Sequence, residues 1–188
     1  MNKRWLNPST VNGKRTPEYN QWFGMLNRAK KSGKYYENVS VDGRFKDFDW
    51  YMEWARGQKG FLKYDGKHLY QIDKDVLGGE VYGPDTCVFV PPQINLLVRG
   101  KIKKDDLPLG IYERQTVKSG LVYQCYVHKV GGAKSIGIYK DYKDALPKML
   151  EYYEMYIDWL QLNYMDTVRS EVFDYLRVLY KQEYQDIP

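Results

Sequence analysis

The chain has 188 residues, of which 43% are hydrophobic and 28% charged, so it has enough apolar side chains to form a core. No run of sequence approaches the ~18 consecutive apolar residues that a membrane-spanning helix needs. The basic segment from Met1 to Lys14 lacks the apolar stretch of a secretory signal. Cys87 and Cys125 have neither CxxC nor zinc-site spacing, so we expect buried free thiols in a reducing cytoplasm, with a disulfide as the alternative.

Charge is distributed unevenly along the chain, although the net value is only +5. Residues 1–64 hold 13 Lys/Arg against 6 Asp/Glu, residues 65–150 hold 13 against 10, and residues 151–188 hold 3 against 8. Basic segments favour phosphate backbones because binding releases condensed counterions, whereas acidic segments are repelled by them. The distribution predicts that residues 1–150 can contact nucleic acid and that the tail points elsewhere; ordinary surface charge is the alternative.

The N-terminal half is predicted to contain a basic arm, two helices and two strands. We expect an extended arm over 1–16 with turn pairs such as Asn12-Gly13. A helix should begin at Pro17, with Thr16 as its N-cap. The remaining predicted features are the end of that helix at Lys30–Lys34, a short strand or turn at Val39–Asp42, a second helix from about Lys46 to Arg56-Gly57, strands at Leu69–Leu77 and Cys87–Val90, and a helical turn at Gln93–Val98.

The C-terminal half is predicted to form a small sheet followed by helix. The charged, glycine-containing segment Arg99–Asp106 is typical of a linker. The predicted strands, with glycines in the turns between them, are Gly110–Arg114, Leu121–Lys129 and Lys134–Tyr139. The helical pattern then runs from Asp141–Lys143 to about Tyr180, with a break expected near Asn163–Asp166. Pro147 is tolerated only in the first turn of that helix, and the order of elements predicts an α+β fold.

A set of aromatic, acidic and proline residues with fixed spacing lies between residues 19 and 97. It comprises Tyr19-x-x-Trp22-x-x-Met25-Leu26-x-Arg28, Phe45-x-x-Phe48-x-x-Tyr51-x-x-Trp54, Ile72-Asp73-Lys74-Asp75-Val76-Leu77 and Tyr82-x-Pro84-Asp85-x-Cys87-Val88-Phe89-Val90-Pro91-x-x-Ile94-Asn95-x-Leu97. This set resembles phage proteins described as HNH-endonuclease-like and, more distantly, the His-Me finger homing endonucleases. The resemblance implies an HNH-like ββα module over 17–99 and a phage protein located in the cytoplasm of a host cell.

The resemblance also implies a catalytic centre, in which a strand histidine activates water and one divalent metal ion is held against the scissile phosphate. Laid on this chain, the base position falls on Lys74, and a lysine is ordinarily protonated at neutral pH and is a poor general base. The candidate ligands for Mg²⁺, which prefers oxygen donors, are Asp73, Asp75 and Asn95. Because alternate residues of a strand share a face, Asp73 and Asp75 are expected to point to one site.

Three interpretations of this centre stay open on the sequence. In the first, Asp73, Lys74 and Asp75 form a salt-bridged turn that supports the fold. In the second, the same three residues and Asn95 form the catalytic centre of a Mg²⁺-dependent endonuclease. In the third, Mg²⁺ is bound without cleavage. His68 is a further candidate base, although it lies six residues before the expected position.

A second set of residues lies between 107 and 148. It comprises Leu107-Pro108-x-Gly110-Ile111-Tyr112-x-Arg114, Tyr123-Gln124-Cys125-Tyr126-Val127-His128, Lys134-Ser135-Ile136-Gly137-Ile138-Tyr139 and Tyr142-x-Asp144-Ala145-x-x-Lys148. This set resembles the AP2 DNA-binding domain, in which three antiparallel strands pack on one helix. The resemblance implies an AP2-like module over 107–153, with Tyr112 and Tyr126 where the family usually has more arginine and a tryptophan. Phage proteins that join such a module to an HNH-like module are familiar.

Alternation along these strands divides the side chains between two faces. Ile111, Cys125 and Val127 are expected to face the helix. The residues expected on the outer face, which could lie in the major groove and read guanine through arginine or adenine through glutamine, are Tyr112, Arg114, Gln124, Tyr126 and His128. The basic residues expected in the turns, where they suit phosphates, are Lys118, Lys129 and Lys134. A sheet with a solvated polar face is the alternative.

The acidic, aromatic tail over 154–188 extends beyond what an AP2-like helix needs. We expect it to pack across the sheet or between modules, with homodimerisation or a surface for a host protein as alternatives. The combined expectation is a protein that binds double-stranded DNA, is homing-endonuclease-like, has a degenerate catalytic centre and has no membrane partner. The alternatives are an endonuclease that nicks or cleaves DNA with Mg²⁺ as cofactor, and a phage protein that binds and inhibits a host protein.

Overall fold

The computed structural model divides the chain into two compact units of helices and small sheets, which confirms the predicted α+β class. It describes residues 6–30, 39–99, 107–129 and 132–185. The first unit holds the described residues up to Asn95 together with Asp166–Arg169, and the second holds the others from Leu96 onward. The expected linker lies, apart from Arg99, outside the described residues. Within the described part, no helix is both long and apolar enough to cross a membrane.

The N-terminal segment is a hairpin of β1 (Thr10–Val11) and β2 (Lys14–Arg15), so the expectation of an extended arm is wrong for these residues. Asn12 and Gly13 join the strands with φ values of 49° and 73°, the positive values that a tight two-residue hairpin turn requires. The carboxylate of Asp49 accepts hydrogen bonds from the backbone N–H groups of Leu6 and Asn7 at 2.9 and 2.8 Å. These bonds anchor the start of the described chain.

Two helices contribute buried side chains to the apolar core of the first unit. Helix α1 (Pro17–Ala29) begins where predicted, with the Thr16 hydroxyl accepting a hydrogen bond from the Tyr19 N–H at 3.2 Å. The short strand β3 (Ser40–Val41) and a single 3₁₀ turn precede helix α2 (Phe48–Arg56), which Asp47 caps. The buried or half-buried rings that surround these helices are Trp22, Phe45, Phe48, Tyr51, Trp54 and Phe89.

Short strands complete the first unit. In chain order they are β4 (Tyr64–Asp65), β5 (His68–Leu69), β6 (Gln71–Asp73), β7 (Val81–Tyr82) and β8 (Val88–Val90), followed by helix α3 (Pro92–Arg99). Strands β4 and β5 form a hairpin, β7 pairs in parallel with β3, and β6 pairs antiparallel with β8. The elements β6, β8 and α3 thus give two antiparallel strands followed by a helix.

The predicted single strand over Leu69–Leu77 is wrong. Strand β6 ends at Asp73, and Asp75–Leu77 form a 3₁₀ turn that closes at Gly78 with φ of 74°. One oxygen of the Asp73 carboxylate accepts hydrogen bonds from the N–H groups of Asp75 and Val76, so the side chain caps the turn. Local capping therefore overrides the apolar run that favours a longer strand.

The second unit contains the predicted three-stranded antiparallel sheet. Its strands are β9 (Ile111–Thr116), β10 (Gly120–Lys129) and β11 (Gly132–Tyr139), with β10 in the centre. Helix α4 (Leu146–Tyr164) packs on β10, and helix α5 (Ser170–Tyr184) packs on α4. Pro147 lies in the first turn of α4, and the expected break in the helix is confirmed.

A stack of tyrosines joins the helices of the second unit to its sheet. The Tyr153 ring of α4 stacks on the Tyr180 ring of α5, with centroids 3.9 Å apart, and Tyr184 lies 5.7 Å from Tyr153. The Tyr153 hydroxyl accepts a hydrogen bond from the His128 N–H of β10 at 2.9 Å. The Tyr184 hydroxyl donates to the Leu109 carbonyl at 3.0 Å. The tail thus packs within this unit and uses its phenol groups to satisfy backbone polar groups.

Candidate functional site

Asp73 and Asp75, expected to present two carboxylates on one strand face, have separate local roles. Asp73 is buried, and one of its oxygens accepts from the Asp75 N–H at 2.8 Å and from the Val76 N–H at 3.0 Å. Asp75 lies outside the strand, and its carboxylate accepts a hydrogen bond from the Lys74 ammonium group. The expectation that they share one strand face is therefore wrong, because the chain turns between them.

The Lys74 side chain is enclosed by an anionic, a carbonyl and an aromatic partner. It is only 7% exposed, and its ammonium group contacts the Asp75 carboxylate and donates to the Gly79 carbonyl at 3.4 Å. The same group lies 5.6 Å from the centre of the Tyr82 ring, within cation–π range. These contacts correspond to the salt-bridged turn among the three interpretations.

Arg28, which the sequence argument used only as part of a motif, supports this turn from α1. Its guanidinium donates to the Tyr82 hydroxyl at 3.2 Å and to the Ile72 carbonyl at 3.3 Å. It also lies over the Tyr82 ring, 5.6 Å from the centroid. Its place three residues after the buried Met25 could have marked it as inward-facing, but its polar partners are far away in sequence.

Asn95, the last proposed ligand, is buried at the start of α3. Its Nδ2 donates to the Gln71 side-chain oxygen at 2.6 Å, whereas its Oδ1 is buried without a hydrogen-bond partner. The described residues contain no group of three or more His, Cys, Asp or Glu side chains able to hold a metal ion. His68 is exposed, in a hairpin where it pairs with Asp65. Because Asp73 and Asp75 are engaged within their own turn, the donor set does not fit a Mg²⁺ site.

Both cysteines are buried free thiols, as expected. Burial raises the pKa of Cys87 to about 12 and that of Cys125 to about 11. Each therefore stays protonated near neutral pH, and neither has the thiolate character of a nucleophile.

The sheet of the second unit separates its side chains into the two faces expected. Ile111, Cys125 and Val127 are buried. The residues of the outer face are Tyr112, Arg114 and His128, which are exposed, and Gln124 and Tyr126, which are half-buried. The Tyr112 and Tyr126 rings meet edge to face with centroids 6.0 Å apart, which places them on one surface. Arginine, glutamine and two phenol rings are thereby brought together on one side of the sheet.

The lysines beside the sheet divide into two groups. Lys118 lies exposed in the turn between β9 and β10, and Lys129 lies exposed at the end of β10. Lys134 lies within β11 opposite the buried Val127, and its ammonium is 5.1 Å from the centre of the Tyr152 ring of α4. The expectation of a turn position for Lys134 is wrong, because β11 begins two residues earlier and the register puts this side chain on the helix side.

Ile138 is a residue of the outer face that the sequence argument missed. It pairs directly with Gln124 and is 60% exposed. A bulge between Cys125 and Tyr126 shifts the register of β10 against β11, and such a shift changes which residues of the edge strand share a face with the central one. Alternation within β11 alone therefore could not have assigned Ile138 to this face.

Charge within the second unit is polarised between sheet and helices. Residues 107–148 hold seven Lys/Arg against three Asp/Glu, and residues 149–165 and 170–185 together hold two against six. The sheet segment and its turns thus favour an anionic ligand, whereas the helices disfavour one. Arg177 is partly neutralised, since its guanidinium contacts Asp158 at 2.7 Å and Asp174 at 3.6 Å.

Comparison with known proteins finds no family model, no curated protein and no solved structure that matches this chain.

Proposed function

We propose that this chain binds double-stranded DNA through the outer face of the sheet β9–β11. The observation that carries the proposal is the placing of Arg114, Gln124 and Tyr112 together on one face of a three-stranded sheet, with Arg114 and Tyr112 exposed. The major groove admits β structure, and the groups that read base edges there are typically arginine for guanine and glutamine for adenine. The resemblance of residues 107–148 to the AP2 domain supports the same function.

Phosphate contacts follow from the charges around that face. Lys118 and Lys129 lie at opposite ends of β10 and are exposed, so they can contact the backbone on either side of a groove. The hairpin residues Lys14 and Arg15 of the first unit are also exposed. Arg15 lies 4.7 Å from the centre of the Phe23 ring. These basic groups would add affinity without sequence selectivity.

The wider proposal is a homing-endonuclease-like protein of phage origin whose catalytic centre is silent. The residue pattern of the first unit supports the resemblance, and the order strand, strand, helix in β6, β8 and α3 is compatible with it. The silence is supported by Lys74 at the base position and by the capping role of Asp73. DNA binding by this chain therefore does not depend on cleavage.

Fluorescence anisotropy with labelled duplexes, measured over a range of salt concentrations, tests the binding. Arg114→Ala should weaken binding to a preferred duplex by about 1–3 kcal/mol. Lys118→Ala should weaken binding to all duplexes alike and reduce the logarithmic salt slope by about 0.9. Lys181→Ala, which removes one positive charge from α5, is the matched control and should change neither. The proposal fails if the wild-type protein shows no salt-dependent affinity for any duplex.

Incubation with supercoiled plasmid, in Mg²⁺ and in EDTA, tests the silent centre. A mobility shift without strand breaks is expected under both conditions. Nicked or linear plasmid that depends on Mg²⁺, and that disappears in Asp73→Asn, would instead establish the endonuclease.

A second function, association through the tail, is favoured by one observation on α4. Met155, Trp159 and Leu162 follow at helical spacing and are about half or more exposed, an unusual density of apolar side chains on an open helix face. A second copy of the chain or a host protein could cover this stripe. Sedimentation velocity of the wild type and of Leu162→Glu distinguishes these two partners. A wild-type dimer that the substitution dissociates identifies a second copy of the chain as the partner. A monomer in both cases argues against a second copy.

A further inference from the structure

The centre of the outer face contains a row of three residues in register across the sheet. Gln124 of β10 pairs directly with Tyr112 of β9 on one side and with Ile138 of β11 on the other. Directly opposed residues of antiparallel strands project from the same face, with Cβ atoms about 5 Å apart. Tyr112 is 51% exposed and Ile138 is 60% exposed, so both ends of the row are open.

The middle of the row has an uncommitted polar group. Gln124 is half-buried, and no residue in the described ranges hydrogen-bonds to its side-chain amide. The amide can donate through Nε2 and accept through Oε1 at the same time. It therefore has the two functions required for a bidentate contact.

An A·T pair presents complementary groups in the major groove. Adenine offers the N7 acceptor and the N6 amino donor, and thymine in the same pair offers O4 and a C5-methyl group. A glutamine bonded to N7 and N6 leaves the methyl group beside it, at the position that an apolar neighbour would cover. In a G·C pair the methyl group is absent, and an apolar side chain there would bury the cytosine N4 amino group without a partner, which costs free energy.

We propose that Gln124 and Ile138 read one A·T base pair together, Gln124 by hydrogen bonds to adenine and Ile138 by contact with the methyl group of its thymine. The proposal rests on the duplex binding proposed above and adds the base pair that this row selects. Arg114, two residues beyond Tyr112 on the same strand and face, then lies over a neighbouring base step. An apolar edge residue, rather than a further cation, thus supplies part of the selectivity.

The test compares thymine with uracil, which lacks only the C5-methyl group. The preferred duplex of the wild-type protein is selected from a randomised pool and then synthesised with uracil replacing thymine at one A·T position at a time. Loss of one buried methyl contact should weaken binding about fourfold at a single position. With Ile138→Ala the thymine and uracil duplexes should bind equally, and with Gln124→Ala the preference for A·T over G·C at that position should be lost.

Gln115→Ala is the matched control for Gln124→Ala, because Gln115 is exposed and pairs with Leu121, three residues along the strands from the row and on the opposite face of the sheet. Thermal unfolding of each variant checks folding, and Ile138→Val, which keeps part of the apolar contact, should retain an intermediate thymine preference. Equal uracil sensitivity in wild type and Ile138→Ala, with duplex binding intact, would overturn this inference alone. Absence of duplex binding by the wild type would overturn the proposed function and this inference with it.

Discussion

Gly110 offers the sharpest test of the sheet, because its backbone leaves no room for a side chain. It has φ of +81°, and a Cβ built there would overlap the Tyr126 carbonyl oxygen and approach Met149 Cε to 3.3 Å. The Tyr126 N–H donates to the Gly110 carbonyl at 2.8 Å, so this contact ties the start of β9 to the centre of β10. An alanine at this position must therefore move the strand as well as adopt a strained conformation.

The magnitude follows from two separable costs. A left-handed conformation for a residue with a Cβ costs about 1–2 kcal/mol. Moving the strand to relieve the overlap breaks the bond to Tyr126 and leaves a buried group unpaired, at about 1–3 kcal/mol. Gly110→Ala should thus lower the free energy of unfolding by about 2–5 kcal/mol, a large share of the ~5–15 kcal/mol that stabilises a typical domain.

Gly120→Ala is the matched control, since Gly120 has φ of +70° but a Cβ there meets nothing within 4 Å. It should show only the conformational cost. Urea unfolding followed by circular dichroism measures both variants under the same conditions. The reasoning is refuted if the two substitutions destabilise the protein equally, because the close approach to Tyr126 would then contribute nothing.

Three further predictions concern the Asp73 cap, the Tyr153 hydroxyl and the two buried cysteines. Asp73→Ala should destabilise the first unit by about 2–4 kcal/mol in urea unfolding, because two N–H groups lose their acceptor. Asp73→Asn should be nearly neutral, since an amide oxygen can also cap the turn. An equal loss of stability in both variants would contradict the capping role. Tyr153→Phe should cost about 1–3 kcal/mol by removing the acceptor of the His128 N–H, with Tyr112→Phe as an exposed control that should not change the unfolding curve. Iodoacetamide at mildly alkaline pH should alkylate neither Cys87 nor Cys125 until urea unfolds the chain, because burial keeps both thiols protonated. Mass spectrometry of the treated native protein measures the alkylation. Alkylation of either cysteine before unfolding would contradict the prediction.

The second unit was predictable because its signals agree with one another. Alternation in β9 and β10 separates buried Ile111 and Cys125 from exposed Tyr112, and glycines mark the turns. The apolar side chains within one such strand identify the face that points to the core, even when the neighbouring strand is unknown. What alternation could not supply was the bulge after Cys125, and with it the faces of Lys134 and Ile138. Register depends on pairing between strands, which a pattern within one strand does not contain.

The first unit was harder to predict because its strands are short and polar groups determine where they end. The run from Leu69 to Leu77 has the composition of one strand, but Asp73 caps a turn in the middle of it. The Asn12-Gly13 pair is a strong hairpin signal, yet its flanking strands have two residues each and no apolar alternation. In both places a local hydrogen bond or a positive φ decides the structure. The average composition of a stretch of sequence does not reveal either feature.

The contacts of the Asp73–Lys74–Asp75 segment bear on the proposal that this chain binds DNA with a silent catalytic centre. A metal-dependent nuclease needs carboxylate oxygens directed at the substrate and a base with a free lone pair. Here one Asp73 oxygen serves two N–H groups of its own turn, and the Lys74 cation is held between Asp75 and Gly79. Releasing these groups for catalysis would unfold the turn that follows β6. The proposed DNA-binding face of the sheet β9–β11 belongs to the other unit and contains none of these residues, so a substitution in this turn tests the catalytic centre separately from that face.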